Sequence, residues 1–281
     1  MNNNTIVGAF AGTYLDSGAS ANVFVGRNSG YNNRGSNNTA VGSYSLDANT
    51  TGGGNVALGD AALTNNTLGS YNIGIGKNAL YDNTTASSNV AIGRSAMLRT
   101  TTGNSNVAVG LDAFSQNETG AGAVAIGVAA LQFSKGGYNS AMGQEAMKPL
   151  KTGTYNVAIG AKSGFNLRVG SNNVLIGGLT SSKDTSMSNT IAIGYQVQAK
   201  ESNRIYIGNA NHTVLETPAR VIGKNGAVFN DSTTTGGSTA LEVNSNTKGF
   251  LPPRMTRQER DNIQSPEAGL IVYCINCDYN G

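Results

Sequence analysis

Tryptophan is absent from this 281-residue chain, histidine occurs once and cysteine twice. Charged residues make up only 12% of it, and the formal net charge is +3. Each scarcity excludes something. So little charge leaves no basic stripe of the kind that binds nucleic acid, so no nucleic-acid partner is expected. No apolar run approaches the roughly 18 residues of a membrane-spanning helix, so membrane insertion is not expected either. The opening stretch, Met1-Asn-Asn-Asn-Thr-Ile-Val-Gly8, lacks the basic and apolar regions of a secretory signal. Either export by that route is not used or a signal has been removed. Solubility rests instead on Asn, Ser, Thr and Gly.

What the chain has is a period. Glycine returns every 16 or 17 residues behind a short apolar tripeptide, at Gly26, Gly42, Gly59, Gly76, Gly93, Gly110, Gly127, Gly143, Gly160, Gly177 and Gly194. Gly8, 18 residues before the first, and Gly208, 14 after the last, extend the series to 13 copies. A period of this size means one structural unit stacked on itself. Most of the chain is therefore scaffold.

Each copy reads Asn-Val-Ala-Ile-Gly, as in Asn89-Val-Ala-Ile-Gly93. β-branched residues at alternate positions indicate a strand with Val and Ile on one face and Ala on the other. Past the glycine comes a small residue and then a larger apolar one, as in Ala62-Leu63, Ala96-Met97 and Ala113-Phe114, followed by polar turn residues. Helical repeats have longer units, and this much Gly, Asn and Thr opposes helix. The expected fold is all-β: a parallel β-solenoid (β-roll) of about 13 coils with a 17-residue period, roughly 60 Å long at ordinary strand spacing. The Asn column reads as a hydrogen-bonded ladder, and the glycines, Gly208 included, as corner residues.

A coil this narrow has a thin core and looks marginal alone. The Ala face is read as the remedy, small enough for neighbouring chains to approach and share a core about a threefold axis. A homotrimer is expected on that ground. Phe24, Leu175 and Tyr206 interrupt the Ala column, and the chains are expected to splay there.

The period ends after Gly208, so the chain divides into a solenoid, residues 1–212, and a small β-rich domain with one short helix, residues 213–281, for attachment, capping or trimerisation. Arg220 to Phe229 reads as a hairpin about Asn225-Gly226, and Ala240-Leu-Glu-Val243 as a strand. Thr256-Arg-Gln-Glu259 has capping-box spacing and opens a helix to about Ile263. Leu270-Ile-Val-Tyr273 reads as a buried strand.

No catalytic, cofactor-binding or metal-ligating residue is assigned. His212 has no Ser or Cys partner nearby, and the 16 acidic residues are dispersed. Gly74-Ile-Gly76 mimics a dinucleotide fingerprint but is one copy of the repeat. Cys274 and Cys277 have half-site spacing without a second pair, and read as two small reduced residues near a strand end. A disulfide or an intersubunit metal site is the alternative. Tyr71, Tyr81, Tyr138 and Tyr155 read as exposed loop aromatics with faces suited to sugars, though single exposed aromatics are ordinary.

The repeats, such as Asn72-Ile-Gly-Ile-Gly-Lys-Asn-Ala-Leu-Tyr-Asp82, resemble those of bacteriophage fibre proteins. The last pair, Ile191-Ala-Ile-Gly194 and Ile205-Tyr-Ile-Gly208, is closer to the head domains of trimeric autotransporter adhesins. The stretch Lys248-Gly-Phe-Leu-Pro-Pro-Arg-Met-Thr-Arg-Gln-Glu-Arg260 is similar to an element near the ends of phage fibres. Both families build trimeric β-solenoids. The resemblance implies a structural virion protein, a head- or tail-associated fibre on the particle's exterior. Its partners would be other virion proteins (capsid, neck or baseplate) and a host-surface glycan or receptor. A bacterial surface adhesin and a carbohydrate-active solenoid enzyme are the alternatives. The membrane strands of an autotransporter are not seen, and a 17-residue period with its His outside the coils argues against a hexapeptide-repeat acyltransferase.

Overall fold

The computed structural model describes residues 3–209, 252–264 and 271–275. The chain divides into two units, Met1–Leu215 and Glu216–Gly281.

In the first unit the repeat becomes a stack. Thirteen three-residue strands, from Thr5–Val7 through Val90–Ile92 to Ile205–Ile207, form one parallel sheet in sequence order. The register never slips, so Val56, Ala57 and Leu58 face Ile73, Gly74 and Ile75 of the next coil. The shorter coils keep this register by losing a residue at one corner. The segment from Asn33 to Gly35 is one residue shorter than that from Asn49 to Gly52, yet the Asn side chain reaches the glycine carbonyl in both. The all-β parallel solenoid of about 13 coils expected from the period is the fold.

The faces are the reverse of the expectation. The middle residue of each strand points into the coil: Ala40, Ala57, Ala91, Ala108, Ala125, Ala141 and Ala158 are fully buried. The large residue four past the glycine meets it from the opposite wall, and Leu63, Leu80, Met97, Phe114, Leu131 and Met147 are fully buried too. A Cβ built on Gly74, at the Ala position, would lie 3.4 Å from Leu63 Cγ, an ordinary packing distance. One wall must be small for the other to be large. Ala therefore lines the coil's own core and is not an intersubunit seam.

Two of the three interruptions obey the same rule, while the third, Tyr206, is only half-buried. Phe24 is fully buried, and the residue facing it is Gly30, where a Cβ would come within 2.6 Å of the Phe24 ring. Leu175 is likewise buried, and a Cβ on Gly164 would lie 3.1 Å from its Cδ1. The bulky residue enters from the strand wall only where the opposite wall has given way.

The large wall residues sit at positive φ, as at Leu63 (53°), Met97 (50°) and Phe114 (51°). Left-handed backbone costs an L-residue about 1–2 kcal/mol. Here it turns the side chain inward while the amide bonds to the next coil, as Leu63 N does to Ala79 O at 3.0 Å. Towards the end of the stack this wall becomes regular: Ser181–Ser182 and Gln198–Ala199 pair as a second, two-stranded parallel sheet.

In the second unit the capping box is present. Thr256 caps a helix, α1 (Arg257–Asp261), its hydroxyl accepting from Glu259 N while the Glu259 side chain accepts from Thr256 N. Arg254–Met255 pairs in parallel with Tyr273–Cys274. The strand thus begins later than expected and is not buried, with Ile271 70% and Tyr273 57% exposed. Cys274 is disulfide-bonded, which corrects the reduced reading. The hairpin about Asn225 and the strand Ala240–Val243 lie outside the described residues.

Candidate trimer interface

Two ladders hold the coils together. The oxygen of each Asn before a strand accepts from the next coil: Asn55 Oδ1 takes the backbone N–H of Asn72 at 3.0 Å and its Nδ2 at 3.2 Å. Asn72 Nδ2 also donates to Ala86 O at 2.8 Å. These asparagines are fully buried with their hydrogen bonds made, so the column is structural, as expected. A second Asn column went unread in the sequence. Asn33, Asn49, Asn66, Asn83 and Asn117 each lie seven residues past a repeat glycine and are buried. Asn66 Nδ2 donates to Asn49 Oδ1 at 2.7 Å. The regular offset was the missed signal.

The repeat glycines sit at the corners. From Gly8 to Gly194 their φ values run from 123° to 139°, a region open essentially to glycine alone, and Gly208 has φ 78°. At Gly110, for example, a Cβ would also lie 2.6 Å from the carbonyl oxygen of Gly127 in the next coil. These residues set the path of the chain.

With Ala inward, the β-branched residues flanking it face out. Those three before the glycine, Val56, Val90, Val107 and Val157 among them, are half-buried. Those just before it are more open: Val41 and Ile92 are 38% exposed, Met142 46% and Ile159 42%. Two parallel columns thus follow the 13-stranded sheet, aliphatic but for Thr5, Thr39 and Ser140, and the one just before the glycine is the less covered by the described chain. A monomer rarely leaves so large a continuous apolar face to water. The face that the sequence reading set opposite the Ala seam is therefore the candidate interface.

The other candidate residues do not converge. His212 and Cys277 lie outside the described residues. Tyr138 and Tyr155 stack on each other, with centroids 5.1 Å apart, so each has one face already used. A Cβ on Gly122 would lie 2.7 Å from Tyr138 Cδ1, so the backbone of the preceding coil also crowds that ring. Tyr71 is 73% exposed and Tyr81 half-buried. Among the described carboxylates, Lys135 holds the Glu118 carboxyl below its ordinary value, and Lys148 does the same for Glu145. Asp47 is pushed up by burial. No three His, Cys, Asp or Glu side chains gather as metal ligands among the described residues. No described helix is long and apolar enough to cross a membrane.

No curated protein matches the chain. Residues 228–281 match the family described as a phage tail like trimerisation region. That match and the β-solenoid that precedes it in the sequence fit a phage fibre protein.

Proposed function

We propose that the chain is the repeat-bearing subunit of a homotrimeric phage fibre on the exterior of the virion. It is joined to other virion proteins of the capsid, neck or baseplate and meets the host surface or its glycans. The observation that carries this reading is the uncovered Val/Ile face along thirteen strands, in a chain whose residues 228–281 match a trimerisation region. Three copies about one axis would give each such face to the other two, closing the apolar surface without an open-ended assembly. The match to a phage region weighs for a virion over a bacterial surface adhesin. In this reading the chain is a scaffold and not an enzyme. A glycosidase acid needs a raised carboxyl close to a second carboxylate, whereas Asp47 is raised by burial alone, with no second carboxylate contributing, and Glu118 and Glu145 are held ionised by lysines. Adhesion would act by avidity, three weak sites on one rigid body.

The native mass of the recombinant chain tests it, measured by light scattering before and after boiling in detergent. A heat-sensitive species of three times the 28.8 kDa chain is expected. A stable monomer overturns the proposal.

A further inference from the structure

Past the glycine corner, on coil surfaces away from the Val/Ile face, three shallow hollows run end to end. Their volumes are about 480, 410 and 480 Å³. Phe133 forms a wall of both the first and the second, and Arg99 and Glu118 are shared by the second and third. Together they make one groove from Asn65 to Leu179 along the stacking direction, about 30 Å at ordinary strand spacing. A groove of that form suits an extended polymer better than a compact ligand.

Its chemistry is aromatic and basic. Phe133 and Phe165 stand 45% and 41% exposed, although the coil has a buried column for large apolar residues in which Phe114 and Leu131 are hidden completely. The walls of the two hollows beside Phe133 carry five cations against two carboxylates, a surplus as large as the formal net charge of the whole chain, +3. Both carboxylates are already engaged: Glu118 by Lys135 at 2.8 Å, and Glu145 by Lys148 at 2.9 Å and Lys162 at 3.7 Å. Lys151 has no carboxylate partner among the described residues, nor has Arg168 on the next rung. Lys135, Lys151 and Arg168 occupy successive rungs of one column, linked through Lys135 N to Lys151 O and Lys151 N to Arg168 O. Like charges on adjacent strands repel. Lys135 is answered by Glu118, whereas the charges of Lys151 and Arg168 are not answered within the described chain, and a bound anion would relieve them.

We propose that this groove binds an acidic polysaccharide, with the C–H faces of its sugar rings on Phe133 and Phe165 and its carboxylates at Lys151 and at Arg168, which stands one rung beyond Lys151 and outside the lining of the hollows. The inference rests on the fibre reading above and names the ligand class and the place where the fibre would meet the host. Aromatic rings supply sugar-ring contact with little entropy to lose. The stacked cations select for charge, and repetition over three chains raises a weak site to useful avidity.

The test uses the full-length chain, with polygalacturonate, neutral dextran and polyphosphate as probes at physiological salt. Saturable binding of polygalacturonate is expected, with dextran at least about tenfold weaker. Phe133→Ala with Phe165→Ala lowers polygalacturonate affinity about tenfold and leaves polyphosphate binding unchanged. Lys151→Gln with Arg168→Gln weakens both. Each pair is exposed, and its melting temperature serves as the folding control. The proposal is overturned if polygalacturonate does not bind, or binds all variants equally. It is overturned equally if the Phe variant loses polyphosphate in parallel, since the groove would then be only an anion surface. Native mass on the same samples separates the two readings. A trimer that fails to bind removes the groove alone, and a monomer that binds removes the fibre alone.

Discussion

At the scale of single residues, the solenoid depends on side chains that satisfy the next coil rather than their own. The Asn ladder is interrupted once in mid-stack, at Ala123, which is fully buried and receives from no side chain of its own level. Its amide still donates to Asn106 Oδ1 at 2.9 Å, but nothing passes the bond on to Asn139. Ala123→Asn should complete the column and raise stability by about 1 kcal/mol, read as a higher melting temperature. Asn72→Ala should do the opposite, stranding Asn89 N in the interior and leaving Ala86 O with Asn83 Nδ2 alone, at a cost of about 1–3 kcal/mol. A drop no larger than that of an exposed substitution would show the ladder to be ornamental. Asp47 gives a pH-dependent counterpart. Its folded pKa is raised by burial, and its Oδ1 is buried without a partner. The unfolded chain therefore releases this proton first. Stability is lost as pH rises from the ordinary Asp value towards the raised folded one, and is lower by a constant amount above it. Asp47→Asn should melt higher than the parent at neutral pH and converge with it in acid. A gap that widens in acid would reverse the sign and refute the assignment.

At the scale of the element, each coil is two walls, and a bulky residue on one needs a small residue opposite it. The pair Phe24 and Gly30 is the clearest case. Phe24→Ala alone leaves a cavity and should cost about 3–5 kcal/mol. Gly30→Leu alone puts the usual wall residue against the Phe24 ring and should overpack by about 1–3 kcal/mol. The double variant recreates the Ala-and-Leu pair of neighbouring coils, such as Ala57 with Leu63, and should return close to the parent. Melting curves of the four proteins complete the cycle, and additive losses would refute the shared-volume rule. The same pair explains what could be read in advance. Strand, period and corner glycines were legible because β-alternation and positive φ leave a mark on single residues. Which face points inward was not, because alternation says only that Val and Ile share a face. Bulk then favoured the larger side chains for the core, and the coil is too narrow for that. The information was present as compensation: Gly30 opposite Phe24, and Gly164 beside Leu175. The helix over Arg257–Asp261 was legible for a simpler reason, since both halves of its capping box lie within four consecutive residues. The groove was not legible, because Phe133 and Lys151 meet only through the stacking of coils.

At the scale of the molecule, the orientation of the strand decides what a substitution can damage. Ala125 and Ile126 are adjacent, yet one belongs to the coil's core and the other to the face offered to other chains. A larger residue at the first should injure each chain separately. Ala125→Leu is expected to lower the melting temperature by overpacking worth about 1–3 kcal/mol, while assembled molecules keep three times the chain mass. A charge at the second should spare the coil and break the assembly. Ile126→Lys places an ammonium group where three apolar faces would meet, with no carboxylate to receive it, at a cost of several kcal/mol per chain. Its far-UV circular dichroism should remain that of a β-protein while its native mass falls towards one chain. Where one charge leaves part of the face associated, adding Ile92→Lys and Ile159→Lys should complete the dissociation, and a species that stays at three chains would place the whole hold on residues 228–281. The opposite pattern, with Ala125→Leu dissociating the molecule and Ile126→Lys unfolding it, would restore the alanine face as the seam. It would also require a coil turned inside out, with Ile92 and Ile159 within and Leu63 and Leu80 unable to fit beside them.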